Sequence, residues 1–344
     1  MRRYLGAAAA LSLIAFVTAC GSSGSSGSAQ GGDTKLVVYS GREEELVKPL
    51  FKKFEQRTGI TVDVRYGDSA ELAATLAEEG GNSPADVFFA QDPGSLGAVE
   101  ARGMLAKLPG ATLDRVPERF RDPNGRWVGT SGRARVVVYN TDRLSAADLP
   151  NSVLRYTDPK WRGKIGLPPT NASFQAFVSS MVLSLGEERT RQWLEGIKAN
   201  DPKLYEKNTP VVEAVAAGEI DVGFVNHYYL YLVKAEQPDA PVANDYLPGT
   251  DPGALVSVAG AGILESADHK DAAARFVEYL LSEEGQRFYV EEAEEAEYPL
   301  VAGIDAKAGL PPLAQLQGPE IKLDALGPQL EKTLQLLNEV GFTA

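Results

Sequence analysis

The stretch that decides the fold is KLVVYSGREEELVKPLFKKFEQRTGITVDVRY, residues 35–66. Its first residues, Lys35 to Tyr39, form a β-rich run, and Ser40-Gly-Arg-Glu43 has the spacing of a capping box that opens a helix. Apolar residues then recur at helical spacing until Gly59, which is a plausible stop, and Ile60 to Tyr66 has the composition of a second strand. A strand, a helix and a strand in this order predict a parallel β-α-β unit.

The same alternation continues along the chain and predicts two α/β lobes, each a mostly parallel sheet flanked by helices. We expect the chain to cross between the lobes at 135–139 and 255–260. The remaining predicted elements are helices at 70–79, 173–185, 211–217 and 271–285, strands at 86–90, 135–139 and 221–225, and an extended return segment at 251–260.

The N-terminal segment has the pattern of an export signal. Arg2 and Arg3 precede an apolar run from Leu5 to Val17, which is shorter than the roughly 20 residues that a membrane helix needs. The run ends in Val-Thr-Ala-Cys20, which resembles a bacterial lipoprotein box with Cys20 as the lipidated residue. We therefore predict a signal peptide over 1–19 and a lipid anchor with a flexible Gly/Ser tether over 20–32. The alternative is a short transmembrane anchor.

Composition excludes several classes of partner and site. Cys20 is the only cysteine, so lipidation would leave the mature protein without a disulfide or a thiolate ligand. The net charge of −13 argues against binding to nucleic acid or to an anionic membrane surface, and we expect a monomer that meets the membrane only through its lipid. About 310 residues follow the tether, which is more than one hydrophobic core usually serves.

Common catalytic templates are missing. The chain has only two histidines, His227 and His269, and no Gly-x-Ser-x-Gly elbow follows a strand. Zinc, copper and haem sites are poorly supported, and the glycine-rich stretches lack the spacing of nucleotide loops. The acidic runs at 43–45 and 291–295 fit solvated helix surfaces, although an extracellular hydrolase that uses paired carboxylates stays an alternative. We expect a protein that is not an enzyme.

Asn226-His-Tyr-Tyr229, directly after a predicted buried strand, is the strongest candidate for a binding site. A Tyr-Tyr pair is most often part of a half-buried aromatic core. As phenolates at pH 7, two tyrosines of pKa about 10 would each cost about 4 kcal/mol. Mg²⁺ and Ca²⁺ prefer carboxylates and carbonyls, so a hard trivalent ion such as Fe³⁺ is the one that offsets this cost.

From Leu36 onward the sequence resembles the ferric-ion-binding solute-binding proteins of bacterial iron(III) importers. The resemblance implies a type II periplasmic-binding fold that closes on its cargo by a hinge. It further implies that ferric iron is bound outside the cell with a synergistic anion, carbonate or phosphate, and passed to the permease of an ABC importer. We assign the lobes to 33–134 plus 259–308 and to 135–258 plus 309–344. The matching stretches are Thr58-Gly-Ile60, Pro84-Ala-Asp-Val-Phe-Phe89, Ser131-Gly-Arg-Ala-Arg-Val-Val-Val-Tyr139, Pro159-Lys-Trp161, Gly218-Glu-Ile-Asp221, Asn226-His-Tyr-Tyr229, Asp251-Pro-Gly-Ala-Leu-Val256 and Glu297-Tyr-Pro-Leu300.

The same resemblance implies site residues, position by position. Tyr228 and Tyr229 match the paired phenolate ligands of the family. The predicted anion-binding residues are Asn171, Ala172 and Ser173 ahead of a helix, the amides Asn208 and Asn226, and a cleft arginine, Arg133 or Arg135.

Two further positions depart from the family. Glu43 stands where many members have a histidine, and Gln91 stands where they have a glutamate. Glu43 is a hard anionic ligand, or else only the partner of the Ser40 cap. With Tyr228 and Tyr229 ionised, Glu43 would bring the ligand charge to that of Fe³⁺ and leave the anion to arginine and amide donors. A binding protein of this fold for another cargo, such as an oxyanion, a polyamine or a sugar acid, stays the alternative.

Overall fold

The computed structural model describes residues 34–292 and 296–343. The predicted signal peptide, Cys20 and the tether lie outside them. Among the described residues, no helix combines the length and the apolar character that crossing a bilayer would require.

The strands are β1 Lys35–Ser40, β2 Thr61–Tyr66, β3 Val87–Ala90, β4 Val128–Asn140, β5 Ile165–Leu167, β6 Lys203–Leu204, β7 Val222–Asn226, β8 Val242–Asp245 and β9 Val256–Ile263. The α-helices are α1 Glu44–Thr58, α2 Ser69–Glu79, α3 Pro93–Glu100, α4 Gly110–Leu113, α5 Ala172–Leu185, α6 Glu187–Ala199, α7 Asn208–Ala216, α8 Tyr229–Glu236, α9 Lys270–Leu280, α10 Glu283–Arg287 and α11 Leu326–Val340, and a π-helix spans Phe288–Glu292.

The long strand β4 joins two groups of strands. The strand order is β2-β1-β3-β9-β4-β7-β5-β6, with β8 also paired to β4. In the first half of the molecule β1 runs parallel to β2 and β3, and β9 lies antiparallel between β3 and the start of β4. From Arg135 onward β4 pairs with β7 and β8 of the second half. The fold is therefore α/β. Strand β4 changes its pairing from β9 to β7 at Arg135, in the segment predicted as one of the two crossings between the lobes.

Each half has its own aromatic packing. Phe51 and Phe54 of α1 meet Phe276 of α9 at ring-centroid distances of 5.4 and 5.2 Å. In the second half Tyr156 contacts Phe224 of β7 at 5.2 Å. Such pairs add about 0.5–1.5 kcal/mol each to the burial of their apolar area, so they fix α1 against α9 and Tyr156 against β7.

Most predicted elements are found with small shifts at their ends, but two details are wrong. The predicted helix 271–285 is two helices, because Ser282 starts a new one by accepting a hydrogen bond from Gly285 N (3.1 Å). The capping box at residues 40–43 is absent, since Glu43 is itself the N-cap of α1 and Ser40 Oγ accepts from Arg42 N (3.3 Å) instead. The carboxylate of Glu43 is therefore not used by its own helix.

Candidate metal centre

The two tyrosines lie together at the end of β7. Tyr228 and Tyr229 are fully buried, and their ring centroids are 4.3 Å apart at an interplanar angle of 32°. The hydroxyl of Tyr229 donates to Glu43 Oε1 (3.3 Å) and accepts from Gln91 Nε2 (3.1 Å). The structure thus brings all four predicted metal-site residues to one place.

Glu43 and Gln91 reach the tyrosines from the first half of the molecule. Glu43 follows β1 and Gln91 follows β3, so both lie beyond the carboxyl ends of parallel strands, where open α/β sheets bind their ligands. Asp92, next to Gln91, caps α3 by accepting from Ser95 N (2.9 Å). Gln91 is therefore the residue of this pair that faces Tyr229.

Burial sets the protonation of the two central groups. Burial, the charge of Glu43 and the neighbouring Tyr228 raise the pKa of Tyr229 well above 10.0. Burial also raises the pKa of Glu43, against the opposing effect of Lys207 and of the hydrogen bond from Tyr229. In the metal-free protein Tyr229 is therefore a neutral phenol whose hydroxyl donates a hydrogen bond to Glu43.

Four of the predicted anion-binding residues, Asn171, Ala172, Ser173 and Asn208, form one cluster at the start of α5. Asn171 caps this helix, and its Oδ1 accepts from Ser173 N (3.1 Å), Ser173 Oγ (2.6 Å) and Asn208 Nδ2 (3.1 Å). Ala172 is the first residue of α5 and is buried. Asn208 Oδ1 has no hydrogen-bond partner among the described residues.

Arg135 is a buried cation whose hydrogen-bond acceptors are neutral. Its guanidinium donates to Asn226 Oδ1 (3.3 Å) and to Phe224 O (2.7 Å), and in the described part of the chain it forms no ion pair. Burial lowers the pKa of Arg135 to about 9, while Tyr229 and Tyr228 act in the opposite direction. A buried cation of this kind favours an anion beside it.

Arg133 has different partners. Its Nη2 lies 3.0 Å from Glu297 Oε1, and its Nη1 donates to the carbonyl oxygen of Gln91 (2.5 Å). Its Cζ lies 5.7 Å from the centre of the Tyr228 ring. Of the two predicted cleft arginines, Arg133 is thus held by a carboxylate and Arg135 is not.

The sequence reasoning missed Lys207 and Glu297. Lys207 and Glu43 line two adjoining crevices of about 540 and 350 Å³, and Gln91 and Asn171 line the smaller one. Lys207 directly precedes the predicted residue Asn208, which is the only signal that could have pointed to it. Glu297 falls in a stretch that matches the family, but no local spacing marks it as part of a site.

The histidines have structural roles. His227 Nδ1 accepts from Ala134 N (3.2 Å), so its Nε2 carries the proton and donates to Ala296 O (2.8 Å). His269 is half-buried, and its Nδ1 lies 3.0 Å from the buried carboxylate of Asp86. Within the described ranges, no group of three or more His, Cys, Asp or Glu residues is arranged to hold a metal ion.

Two strand groups that share β4, with polar side chains of both meeting beyond the strand ends, define a protein that encloses a small cargo. The chain matches the model of bacterial extracellular solute-binding proteins over residues 40–287, and it belongs to this family. The predicted resemblance and the two-lobe fold are confirmed by this match together with the relatives and the solved structure described next.

Similar proteins carry iron-related names. The chain is 35% identical to the Fe(3+)-binding periplasmic protein of Serratia marcescens over 90% of this chain and 91% of that one. It is 36% identical to the major ferric iron-binding protein of Neisseria meningitidis serogroup B, over 89% and 93% of the two chains. The structure of iron-bound HitA from Pseudomonas aeruginosa matches with a TM-score of 0.85 at 36% identity, covering 90% of this chain and 99% of that one.

Proposed function

We propose that this protein binds ferric iron outside the cytoplasm and delivers it to an ABC importer. The observation that carries the proposal is the buried pair Tyr228 and Tyr229 beside Glu43, at the ends of strands from both halves. The iron-binding names of the relatives and the iron in the Pseudomonas structure support the choice of cargo. Membership of a solute-binding family fits transport rather than catalysis.

Tyr228, Tyr229 and Glu43 are the proposed anionic ligands. Two phenolates and one carboxylate carry three negative charges, which match Fe³⁺ and exceed the charge of a divalent ion. Hard anionic oxygens are the ligand type that a hard trivalent ion prefers. Gln91 would add a neutral amide oxygen, after its Nε2 gives up the hydrogen bond to Tyr229.

The proposed anion, carbonate or phosphate, lies next to Arg135. This side chain is a buried cation, and Asn226 Nδ2 beside it has no partner among the described residues. The cluster of Asn171, Ala172, Ser173 and Asn208 at the start of α5 adds a helix N-terminus, which favours negative charge. The guanidinium of Arg133 is held by Glu297 and Gln91, so the anion proposal depends on Arg135.

The rest of the transport cycle follows the sequence predictions. We propose a monomer that is tethered by a lipid on Cys20, after removal of residues 1–19, and that meets the importer permease when loaded. The lobes 33–134 plus 259–308 and 135–258 plus 309–344 would close on the cargo.

A visible absorption spectrum tests the proposal. Purified protein given ferric iron with bicarbonate or phosphate should develop a phenolate-to-iron charge-transfer band, and Tyr228→Phe or Tyr229→Phe should abolish most of it. Tyr156→Phe is a matched control, because Tyr156 is a buried tyrosine of the second half that contacts Trp161 and Phe224 instead. A colourless protein without heat of binding would contradict the proposal. Full cargo binding by the double Phe variant would point to a cargo that stacks on the rings.

A further inference from the structure

Behind the tyrosine pair lies a buried cluster of three charged side chains. Arg42, Arg133 and Glu297 are 2%, 1% and 0% exposed. Glu297 Oε1 lies 3.0 Å from Arg133 Nη2 and 3.2 Å from Arg42 Nη2, so a single carboxylate oxygen holds two guanidiniums. Buried ion pairs often add little stability over apolar residues of the same volume. Their contribution to folding alone therefore does not explain why these three charges are buried here.

Arg133 contacts two of the candidate ligands directly. Arg133 donates to the carbonyl oxygen of Gln91 (2.5 Å) and lies over the ring of Tyr228. Arg42 instead donates to Ser131 Oγ (3.4 Å) and lies over the ring of Phe89. The orientation of Arg133 thus bears on a ligand from each half of the molecule.

Glu297 is itself held firmly by its neighbours. On one side Ala296 O accepts from Nε2 of His227, the residue before Tyr228 (2.8 Å). On the other side Tyr298 exchanges two backbone hydrogen bonds with Gly132 of β4, at 2.7 and 2.9 Å. The carboxylate therefore has a fixed position between β4 and the end of β7.

We infer that Glu297 is a positioning residue of the metal site: by fixing Arg133, it holds Gln91 and the Tyr228 ring in the arrangement that receives the cargo. This inference rests on the proposed function. Outer-shell groups of this kind fix the orientation of the metal ligands, and their mutation typically lowers the affinity for the metal.

Iron affinity of three variants tests the inference. Glu297→Gln keeps the shape of the side chain and removes its charge, and it should lower the affinity for ferric iron about 10–100-fold, the range for outer-shell partners. Arg133→Gln should have an effect of the same size. Because Glu297 acts through Arg133, the double variant should bind iron as well as Arg133→Gln alone, which a double-mutant cycle measures.

Arg42→Gln is the matched control for Arg133→Gln. Each of these variants removes one guanidinium from the carboxylate of Glu297 and leaves the other in place. Arg42→Gln should lower iron affinity by less than about tenfold, below the outer-shell range. This comparison still decides the question if Glu297→Gln fails to fold.

Asp86→Asn controls for a purely structural effect. Asp86 is another buried carboxylate of the first half. Its partners in the described part of the chain are Val37 N (2.8 Å) and His269, and not the tyrosines. It should lower the free energy of unfolding of the metal-free protein without changing iron affinity.

Three results would overturn the inference: near-normal iron affinity in Glu297→Gln or Arg133→Gln, equal losses in Arg42→Gln and Arg133→Gln, or additive losses in the double variant. Failure of the unmodified protein to bind iron would instead overturn the proposed function.

Discussion

Iron binding should release about two protons at neutral pH, one from each tyrosine, because both phenols must ionise to act as anionic ligands. Tyr229 is a hydrogen-bond donor to Glu43 in the metal-free structure and is therefore protonated there. The perturbation is a change of pH around neutrality, with ferric iron and the anion held constant.

The magnitude follows from the pKa of the two phenols. Ionising a tyrosine with an ordinary pKa of about 10 costs about 4 kcal/mol of free energy at pH 7, so ionising both costs about 8 kcal/mol. Burial raises the pKa of Tyr229 well above 10.0, so its share is larger. While both phenols stay protonated in the metal-free protein, iron affinity should fall about 100-fold for each unit by which the pH is lowered.

Two assays measure this coupling. Competition with a chelator of known pH dependence gives the iron affinity at each pH, and a weakly buffered titration gives the number of protons released. Titrations without protein correct for protons released by ferric hydrolysis and by the anion. Tyr229→Phe should release about one proton fewer, whereas Tyr156→Phe should behave as the unmodified protein.

A slope below one logarithmic unit of affinity per pH unit would refute the reasoning. The same holds for release of less than one proton per bound iron after correction. Either result would mean that the tyrosines stay protonated and that the charge on the metal is balanced by other groups.

Three further predictions concern single residues. Phosphate, at 100 times its dissociation constant, should raise the free energy of unfolding of the metal-free protein by about 2.7 kcal/mol. In thermal unfolding, Arg135→Gln should remove most of this stabilisation. Equal stabilisation of the variant would contradict the anion site. Glu43→Gln keeps an acceptor for Tyr229 but removes a charge, so iron affinity should fall by at least about tenfold. Unchanged affinity would mean that Glu43 is a hydrogen-bond partner of Tyr229 and not a metal ligand. Burial lowers the pKa of His227 to about 4. The free energy of unfolding, measured with urea, should therefore decrease by about 3 kcal/mol as the pH falls from 6.5 towards 4. His227→Gln should not show this decrease.

The parts of the fold that depend on local patterns could be predicted from the sequence. Apolar spacing in α1 and the stop at Gly59 follow from helix geometry, and the structure has both. The first half of β4, Val128 to Ala134, escaped prediction because it carries Thr130, Ser131 and Arg133 at buried positions. These polar residues are satisfied by distant groups, such as the carbonyl oxygen of Ala259 that accepts from Thr130 Oγ1 (3.3 Å). A strand of this kind has no apolar alternation to recognise.

The candidate site shows the same limit. Tyr228 and Tyr229 are adjacent and directly follow a strand, so their proximity is a local signal that sequence carries. Glu297 and Arg42 are separated by 255 positions, and only the folded sheet brings them together. Charge partners across such a distance leave no periodicity, so the cluster behind the tyrosines could be found only in the structure.

The start of α1 links the wrong cap prediction to the chemistry of the site. A capping box would have used the carboxylate of Glu43 to accept from the backbone of Ser40. Because Glu43 precedes the helix, its side chain instead reaches across to Tyr229. There it would add a third negative charge to the two phenolates of the proposed site. A shift of the helix start by one turn would thus leave two anionic ligands, which balance a divalent ion better than Fe³⁺. In the proposed site, the preference for a trivalent cargo would depend on where this helix begins as well as on the tyrosine pair.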